Sequence, residues 1–492
     1  MSHVFFISSL SALTGVIQTD AMRVLLIRPP HDHMISTNVP KYVDTETGMY
    51  PPLGLLYVGA AVTAWTDAKV ELLDAPALGF GQDRIRRFVN ELRPDVVGIQ
   101  AMTFTLVDAV QTVRSVKQAC PGCHVSLGGP HVNLYPEETL GIAGVDSIVL
   151  GEGERSFAEM INVMSSGGDM AKVPGVAVMR GGEVRTVEAR PLERDLDDLP
   201  GPDRAMLENA LYWSVLARRN PVTTMMSSRG CPMKCVFCDR PHLGKTFRFR
   251  SAGSVVDEME DCVARGIGEI FMYDDTFSIN RRRILDIRDE ILHRGLKVNW
   301  DVRARADNLD EEVAAAMKEA GVVRMHIGVE SGSQRVLDAM QKGITVEQAY
   351  EAFELCRKFG VTGLAYFMMG NPGETREDVE LTMKFIRDCA ADYAHIAVTT
   401  PFPGTQLYRM GLERGVFSRD HWKEFAADPN ESFHPPPWTE NFEGEQLERM
   451  RRRGYRLFYS RPGRVLRQLA GIRSFREFKT KTSLGLKMLF GR

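Results

Sequence analysis

Short apolar runs alternate with amphipathic stretches from residue 22 to residue 190. Apolar residues at helical spacing predict helices over Leu53–Trp65, Gln82–Leu92 and Leu106–Ala119. The β-rich apolar runs between them predict strands over Val24–Ile27, Val70–Leu73, Val96–Ile99, Val125–Leu127 and Ser147–Leu150. Strands that alternate with helices in this way predict a doubly wound, parallel, Rossmann-like sheet of the α/β class.

A sheet of this kind binds ligands at the carboxyl ends of its strands. The sequence places Arg28–Pro30, Thr103–Thr105 and Gly128–His131 at three of these ends. No GxGxxG follows the first predicted strand, so a dinucleotide-binding fold is poorly supported.

A second series of strands and helices follows an acidic, proline-bearing stretch, Arg190–Pro202, which indicates a linker. The strands predicted after it are Val222–Ser227, Glu269–Tyr273, Lys297–Val302, Val323–Val329, Thr362–Met369 and His395–Thr399. Each of the first five is followed by a stretch that predicts a helix, such as Ser254–Arg265 or Glu311–Ala320. Six such units predict a full or partial β/α barrel.

The most unusual residues of this second half lie where its predicted strands end. They are found at Cys231–Cys238, Asp274–Asp275, Arg303, Glu330, Gly370–Glu374 and Pro401–Gly404. Since barrels carry their chemistry at the carboxyl ends of the strands, the sequence predicts a functional site at the mouth of the barrel.

The composition is that of an ordinary globular protein, with 44% of the 492 residues hydrophobic and 25% charged. No run of 18 apolar residues occurs, so no membrane span is expected. At about 150 residues per domain, the length predicts about three domains. The expected divisions are a leader or disordered arm at 1–21, a first domain at 22–190, a linker at 191–221, a barrel at 222–417 and a helical, basic region at 418–492.

Residues 1–21 resemble a signal peptide only weakly, because no Lys or Arg precedes their apolar run. Met22 opens the first predicted strand, so either translation starts there or residues 1–21 form a disordered arm. The thiol-rich segment farther along favours a reducing compartment, and we therefore expect a cytoplasmic protein.

The net charge of −3 conceals an uneven distribution of charge. Residues 446–492 hold 14 Lys and Arg against two acids, which leaves −15 on the preceding part. This basic tail mixes Arg and Lys with apolar residues at near-helical spacing, so it either lies on an anionic membrane or packs against the acidic body. No aromatic stacking platform accompanies the charge, so nucleic-acid binding is not expected.

Eight cysteines in so long a chain do not form a disulfide framework. Three of them, Cys231, Cys235 and Cys238, form a Cx3Cx2C pattern directly after a predicted strand. Thiolates are ligands for iron–sulfur clusters or zinc, and three of them leave one metal position open. A structural zinc site that borrows His242 is the alternative. Cys120 and Cys123 form a CPGC turn, either without metal or as a redox pair, and the other cysteines are expected in the core.

The loop SSRGCPMKCVFCDR resembles the signature of radical S-adenosylmethionine (SAM) enzymes, in which an aromatic residue, here Phe237, precedes the last cysteine. Four later segments also resemble motifs of this family: MYDDTF (272–277), IGVESG (327–332), FMMGNPGETRED (367–378) and TPFPGTQLY (400–408). The resemblance implies that Cys231, Cys235 and Cys238 hold a [4Fe–4S] cluster. It also implies SAM contacts from Asp274, Asp275, Arg303, Glu330 and Gly370. Alternatively, the two aspartates are solvated loop acids or a helix cap, and Arg303 forms a structural ion pair.

Four segments of the first domain, MRVLLIRPP, PPLGLLYVGA, SLGGPHVNLYPEE and VLGEGE, resemble the cobalamin-binding domain fused to one large radical SAM subgroup. The resemblance implies that cobalamin is contacted by Thr103, Thr105, Gly128, Gly129, Pro130 and His131. Residues 152–154 lie at the same edge of the sheet. The DxHxxG motif that supplies an axial histidine is absent, and His31 and His33 are expected to be loop histidines.

Together the two resemblances imply a cobalamin-dependent radical SAM enzyme. The favoured reaction is transfer of a methyl group from methylcobalamin to an unactivated carbon, less often phosphorus, of a small-molecule or lipid-like intermediate. In this reaction a 5′-deoxyadenosyl radical first abstracts the substrate hydrogen, methylcobalamin then delivers the methyl group, and a reductase such as flavodoxin or ferredoxin supplies the electron. The alternatives are an oxidative ring-forming enzyme of the anaerobic tetrapyrrole-cyclase type and a non-catalytic sensor that holds the same cofactors.

Overall fold

The computed structural model describes residues 21–36, 48–187, 189–239 and 244–461. Two sheets with helices on their faces dominate this part of the chain, one in each half. The α/β class is confirmed, with a doubly wound sheet followed by a partial β/α barrel. Most of the predicted leader and residues 462–492 of the basic tail lie outside the described residues.

The strands and helices are numbered separately in chain order. The strands are β1 (Arg23–Arg28), β2 (Gly48–Met49), β3 (Lys69–Asp74), β4 (Val96–Gln100), β5 (His124–Gly128), β6 (Ser147–Val149), β7 (Val176–Arg180), β8 (Glu183–Thr186), β9 (Trp213–Ser214), β10 (Val222–Met225), β11 (Ser228–Arg229), β12 (Arg248–Phe249), β13 (Glu269–Met272), β14 (Trp300–Ala304), β15 (Val322–Glu330), β16 (Thr362–Met369) and β17 (Tyr393–Val398). The helices are α1 (Leu53–Trp65), α2 (Ala75–Leu78), α3 (Gln82–Leu92), α4 (Leu106–Ala119), α5 (Pro130–Leu134), α6 (Pro136–Leu140), α7 (Gly153–Ser165), α8 (Ala252–Ala264), α9 (Arg281–His293), α10 (Glu311–Glu319), α11 (Gln334–Ala339), α12 (Val346–Phe359), α13 (Arg376–Asp388), α14 (Gln406–Glu413), α15 (His421–Ala427) and α16 (Gly444–Tyr459). None of these helices is long and apolar enough to cross a membrane.

The first sheet has the strand order β3-β1-β4-β5-β6-β7-β8, and its strands from β3 to β6 are parallel. Strand β1 is apolar throughout its middle because helices cover both faces of the sheet. Leu26 packs with residues of α1 and α7 on one face, and Ile27 packs with residues of α3 and α4 on the other. The strand order reverses between β1 and β4, which is where a sheet of this type opens a ligand crevice.

The antiparallel hairpin β7–β8 extends this sheet and was not among the predicted strands. Gly181 and Gly182 join its strands, both with positive φ (60° and 80°). A two-residue turn of this kind needs positive φ at both positions, which glycine adopts without strain. The Gly-Gly pair between two β-rich runs was therefore a usable signal in the sequence.

The second sheet has the strand order β10-β13-β14-β15-β16-β17, with every neighbouring pair parallel. All six predicted strands are present, and the third begins at Trp300 rather than at Lys297. Alternate residues such as Ile327, Phe367 and Ile396 face the helices and form a buried core. Their neighbours in sequence face the interior of the barrel, where polar side chains collect.

Because the barrel does not close, its last strand, β17, has an open edge that must be covered. Helix α16 covers it: the Tyr455 hydroxyl accepts a hydrogen bond from the backbone N–H of Ile396 at 3.0 Å. The Tyr459 hydroxyl is 3.3 Å from the backbone N and O of Ala394. Gly454 permits this approach, since a Cβ there would lie 2.8 Å from the Ile396 side chain.

The segment expected to be a linker is packed against both halves of the protein. Arg204 is fully buried and donates hydrogen bonds to Thr223 Oγ1 at 3.1 Å and to Glu258 at 2.7 Å. The Tyr212 hydroxyl donates to Asp74 of the first sheet at 2.9 Å. The connection between the halves is therefore an ordered strap that contacts both of them.

The cysteines expected in the core are found there. Cys262, Cys356 and Cys389 are buried, and burial raises the pKa of the Cys262 and Cys356 thiols to about 12. Cys123 is buried and Cys120 is half-buried, and both are free thiols.

Replacement of Tyr455 by Phe should destabilise the edge of β17. It leaves the buried Ile396 N–H without its partner, which costs about 1–3 kcal/mol. Hydrogen exchange at the Ile396 amide is expected to accelerate, and the thermal midpoint to fall. The control is Tyr350→Phe, because the Tyr350 hydroxyl has no hydrogen bond within the described residues and its ring keeps its contact with Phe385. Equal exchange rates at Ile396 in both variants would contradict this account of the edge.

Candidate functional site

The three clustered cysteines lie in a loop that leaves the barrel after β10. Cys231 and Cys235 are buried, whereas Cys238 is exposed. The loop rests on two helix ends, because the Val236 N–H donates to Met340 O at 3.1 Å and the Val236 carbonyl accepts from Leu407 N at 2.8 Å. This thiol loop is thereby fixed at the carboxyl edge of the barrel, as the spacing predicts.

The donor set of the thiol loop fits an iron–sulfur cubane. Within the described ranges, no three His, Cys, Asp or Glu side chains converge as ligands of one metal ion. A cubane has a different requirement, since each thiolate binds a different iron. The Arg305 guanidinium lies 3.8 Å from Cys235 Sγ, and Thr276 Oγ1 lies 3.7 Å from Cys231 Sγ. A cation at this position complements the negative charge that thiolate ligands bring to a bound cluster.

Asp274 is fully buried and its oxygens are occupied. It accepts hydrogen bonds from the backbone N–H groups of Ser227 and Ser228 at 2.7 and 3.0 Å, and from both hydroxyls at 2.6 Å. Arg283 lies 3.4 Å away. A carboxylate offers about four acceptor positions, so a ligand would have to displace one of these bonds. Asp274 is thus neither a solvated acid nor a helix cap, and it anchors the start of the thiol loop, while Asp275 beside it is exposed.

Glu330 ends β15 with a left-handed backbone conformation, φ 68°. Such a conformation costs on the order of 1–3 kcal/mol in a residue other than glycine and is concentrated at functional sites. The buried Glu330 Oε1 pairs with Lys342 Nζ at 2.7 Å, and Oε2 carries no hydrogen bond within the described residues. Arg305 in turn donates to the Lys342 carbonyl at 2.7 Å. Contacts therefore run from the thiol loop to Glu330 through two residues that the sequence analysis missed.

Arg303 lies on the inner face of β14. Its guanidinium stacks 4.3 Å above the Tyr273 ring and donates to the Met272 carbonyl. Among the described residues, no carboxylate is within salt-bridge distance of Arg303. Arg303 therefore presents a positive charge to the interior of the barrel.

The loop that follows β16 is shaped by the buried carboxylate of Glu374. It accepts from the backbone N–H of Gly370 at 2.6 Å and of Asn371 at 3.0 Å. Burial raises the pKa of Glu374. Gly370 has φ 81°, and a Cβ at this position would lie 2.4 Å from the Leu447 side chain of α16. Any contact of Gly370 with a ligand is therefore through its backbone.

The predicted cobalamin residues lie together at the carboxyl edge of the first sheet. A Cβ on Gly128 would meet only Val149, at 4.0 Å, so this position faces open space. Gly129 has φ 123°, and a Cβ on it would lie 2.7 Å from the Ala101 carbonyl. Only glycine fits there. Pro130 then begins α5.

His131 is fully buried beside this edge. Its Nδ1 lies 3.1 Å from Thr103 Oγ1, and Thr103 and Thr105 bound a short 3-10 turn that leads into α4. Its Nε2 has no partner within the described residues. Burial lowers the pKa of His131 to about 4, so the ring is neutral. A buried ring nitrogen without a partner is uncommon, and it fits a bound ligand or an ordered water at this edge of the sheet.

The histidines that follow β1, His31 and His33, differ from His131. His33 Nδ1 lies 2.8 Å from Asp108 and Nε2 lies 3.1 Å from Glu431, so His33 bridges the first domain and the C-terminal region. Burial lowers the pKa of His31 to about 4. Since both nitrogens of His33 are engaged, it is a structural loop histidine.

A buried group of charges joins the two halves at their carboxyl edges. Arg229, two residues before Cys231, forms ion pairs with Glu152 at 3.0 Å and with Glu154 at 2.6 Å. Arg248 pairs with Glu152 at 2.9 Å. Burial by itself raises the pKa of Glu152, but the two guanidinium groups more than offset this effect and hold that pKa below its usual value. The thiol loop and the predicted cobalamin edge are therefore held face to face.

Two family models match the chain. The Radical SAM superfamily matches residues 225–386, and the B12 binding domain matches residues 41–161. The first range contains the thiol loop, and the second contains the open edge at Gly128.

Individual proteins of similar sequence and fold span most of the chain. It is 34% identical over 451 residues to an uncharacterized methyltransferase of Pyrococcus horikoshii, a match that covers 91% of this chain and 95% of that protein. It is 30% identical over 396 residues to the anaerobic magnesium-protoporphyrin IX monomethyl ester cyclase of Rubrivivax gelatinosus, covering 79% of this chain and 70% of that enzyme. The structure of the radical SAM methyltransferase TsrM from Kitasatospora setae, with cobalamin and a [4Fe–4S] cluster bound, has a TM-score of 0.65 at 20% identity and covers 80% of this chain and 75% of that one. This last similarity shows a shared fold.

Replacement of Asp274 by Asn should loosen the thiol loop. An amide turns one donor toward the donors of Ser227 and Ser228 and removes the charge opposite Arg283, at a cost of about 3 kcal/mol. After anaerobic reconstitution, we expect less iron per chain and a lower thermal midpoint. Asp275→Asn is the matched control, since Asp275 is exposed, and it should keep its iron. Equal iron contents in the two variants would refute the anchoring role of Asp274.

Proposed function

Because the chain belongs to the cobalamin-dependent radical SAM enzymes, which use a [4Fe–4S] cluster, SAM and cobalamin, we propose that it transfers a methyl group to an unactivated carbon of a small molecule. Phosphorus is the less favoured acceptor. The enzyme class follows from family membership, whereas the acceptor atom and the substrate belong to the proposal. The alternative of a non-catalytic sensor is set aside, since the chain belongs to a family of enzymes.

The observation that carries this proposal is the placement of the thiol loop against the carboxyl edge of the first sheet. Leu106 and Val107 of α4 pack in one cluster with Val236 of the thiol loop. Phe104 meets Phe402 and Trp422 edge to face, with ring centroids 5.2 and 6.0 Å apart. Methyl transfer needs radical chemistry and a methyl donor within reach of one substrate, and this junction supports such an arrangement.

We assign the cluster to Cys231, Cys235 and Cys238. When bound, the cluster and SAM supply a 5′-deoxyadenosyl radical for hydrogen abstraction, and cobalamin supplies the methyl group. Arg305 holds a positive charge beside Cys235, and Asp274 fixes the first turn of the loop. The aromatic side chains at the junction exclude water, which a reactive radical site requires.

We assign the binding of SAM to the ends of the neighbouring strands. Glu330 Oε2 is placed to accept a hydrogen bond from a hydroxyl, while Lys342 holds Oε1. Asp275 and the backbone at Gly370 lie at the same mouth of the barrel. Arg303 lies deeper, on the inner face of β14, and supplies a cation for an anionic group of SAM or substrate.

We assign the cobalamin contacts to the carboxyl edge of the first sheet. Gly128 and Gly129 let the backbone approach a flat ligand, Thr103 and Thr105 offer hydroxyl groups, and Pro130 starts the helix behind them. His131, neutral and orphaned at Nε2, is placed to accept or donate one hydrogen bond.

The proposal includes two partners. A flavodoxin or a ferredoxin is the expected electron donor, because reductive cleavage of SAM consumes one electron. The basic residues 462–492, which lie outside the described residues, are the segment proposed to contact a membrane peripherally.

Oxidative ring formation is the second candidate reaction. It is supported by the 30% identity to the Rubrivivax cyclase over 79% of this chain. The two reactions differ in their by-products: methylation yields S-adenosylhomocysteine together with 5′-deoxyadenosine, whereas ring formation does not require the former.

The first test is the cofactor content of anaerobically purified protein. We expect about four irons and about one cobalt per chain. The variant Cys231→Ala, Cys235→Ala, Cys238→Ala should lose the iron and keep the cobalt, because the two sites lie on different sheets. Iron without cobalt after addition of cobalamin would overturn the cobalamin assignments.

By-products then separate the two reactions. The reduced enzyme is incubated with methyl-deuterated SAM and a small-molecule extract, and the triple cysteine variant serves as the control. Methyl transfer predicts S-adenosylhomocysteine and 5′-deoxyadenosine in comparable amounts, with a product heavier by the labelled methyl group. 5′-Deoxyadenosine alone, with an unlabelled product, would favour ring formation instead.

A further inference from the structure

Arg305 directly follows β14 and is almost completely buried beside the thiol loop. Its Nη1 lies 3.8 Å from Cys235 Sγ, which is a hydrogen-bond distance to sulfur, and the residue is 6% exposed. Its backbone N–H donates to Ser278 Oγ at 3.0 Å, which fixes the point where the side chain begins. The positive charge beside Cys235 is therefore supplied by the barrel and not by the thiol loop itself.

Asp307 holds the guanidinium group of Arg305 in this position. Arg305 Nε and Nη2 donate to the two carboxylate oxygens of Asp307 at 2.9 and 3.0 Å. A bidentate pair of this kind fixes the plane of the guanidinium group as well as its distance. Asp307 lies in the 3-10 turn Ala306–Asn308, so the pair forms together with that turn. The clamp leaves Nη1 directed at Cys235.

The turn around Lys342 supplies a second support. The Lys342 carbonyl accepts a hydrogen bond from Arg305 Nη2 at 2.7 Å. Gln341 and Gly343, on either side of Lys342, both have a left-handed backbone, with φ 50° and 69°. Such a conformation is strained in a residue other than glycine and persists where its surroundings enforce it. Two segments that are distant in sequence thus hold one guanidinium group.

The side chain of Lys342 connects this support to Glu330. Lys342 Nζ pairs with Glu330 Oε1 at 2.7 Å and lies 5.6 Å from the centroid of the Phe237 ring. Lys342 therefore contacts Arg305 through its backbone and the carboxylate assigned to SAM through its side chain. The charge beside Cys235 and the proposed SAM contact belong to one connected unit.

The sulfur of Cys231 has a neighbour of a different kind. Thr276 Oγ1 lies 3.7 Å from Cys231 Sγ, but this hydroxyl donates to the Asp275 carbonyl at 2.7 Å. A hydroxyl has one proton, so it cannot donate to the sulfur while that bond is made. Of these two sulfur contacts, the one from Arg305 brings both a donor and a positive charge.

We infer that Arg305 raises the reduction potential of the cluster assigned to Cys231, Cys235 and Cys238. Reduction adds one electron, from the proposed flavodoxin or ferredoxin donor, to a cluster that already carries the charges of its thiolates. A nearby cation and a hydrogen bond to sulfur both stabilise the reduced form more than the oxidised form. This inference rests on the proposed function, since it takes the assigned cluster as given.

The test is a redox titration of the enzyme loaded with ⁵⁷Fe cluster and cobalamin, without SAM or substrate. Mössbauer spectroscopy measures the reduced fraction, because it detects iron and not cobalt. Arg305→Met removes the charge and the donor, Arg305→Gln keeps a neutral donor, and Arg305→Lys keeps the charge. The control is Arg294→Met, which removes a guanidinium group of the same barrel that pairs with Asp257, Glu260 and Glu290.

In Arg305→Met we expect the ratio of reduced to oxidised cluster at a given potential to fall about tenfold, the usual loss for one charge-assisted hydrogen bond. For a one-electron couple this is a shift of about 59 mV to lower potential. Arg305→Lys should retain more of the native potential than Arg305→Met, and Arg294→Met should match the native enzyme. Iron content, cobalt content and thermal midpoints establish that the variants are loaded and folded.

If Arg305→Met does not hold a full cluster, Arg305→Gln takes its place, and its potential should lie below that of Arg305→Lys. Equal potentials in the native enzyme and in a fully loaded Arg305→Met or Arg305→Gln would overturn the inference. Such a result leaves the proposed function intact, because cofactor content and by-products are measured separately. Native protein that binds no iron would instead reject the cluster assignment and this inference together.

Discussion

The geometry of the site depends on the buried ion pairs of Arg229 with Glu152 and Glu154. Removing charges from water is expensive, and a buried pair seldom adds net stability. The ion pairs instead fix the orientation of the Arg229 side chain, since a guanidinium group held by two carboxylates has few alternative positions. Arg229 is two residues from Cys231, and Glu152 follows the last parallel strand of the first sheet. The pairs therefore fix the position of the thiol loop relative to the carboxyl edge of the first sheet.

The helices and strands that were predicted best from the sequence are those that pack against a single sheet. Helices α1, α3 and α4 have the predicted bounds. Helices α3 and α4 each have one apolar face and a clear helical period, whereas α1 is apolar on nearly all sides. The hairpin β7–β8 was missed, since its strands are short and half exposed. The acidic, proline-bearing composition of the predicted linker did not indicate its buried Arg204, which binds residues of β10 and α8. Burial of that kind depends on partners that are distant in sequence.

At the candidate site, too, features set by local sequence were predictable, whereas contacts between distant residues were not. The shared loop of Cys231, Cys235 and Cys238 could be predicted from spacing alone, because these residues are close in sequence. Lys342 and Arg305 could not, since Arg305 is 70 residues from Cys235 and neither belongs to a recognisable motif. The pair Asp274–Asp275 shows a second limit: adjacent, identical residues have opposite environments, one saturated by the thiol loop and the other exposed. Whether a carboxylate anchors the backbone or faces a ligand is decided by tertiary contacts.

Helix α16 also determines when the barrel can be completed during synthesis. The thiol loop leaves the ribosome about two hundred residues before residues 444–459, and chains fold from the N-terminus as they emerge. Until α16 arrives, the edge of β17 lacks Tyr455 and the loop at Gly370 lacks the side chain packed over it. The nascent barrel thus presents three thiols at an unfinished mouth. Helix α16 then completes the edge of β17 and the packing over Gly370.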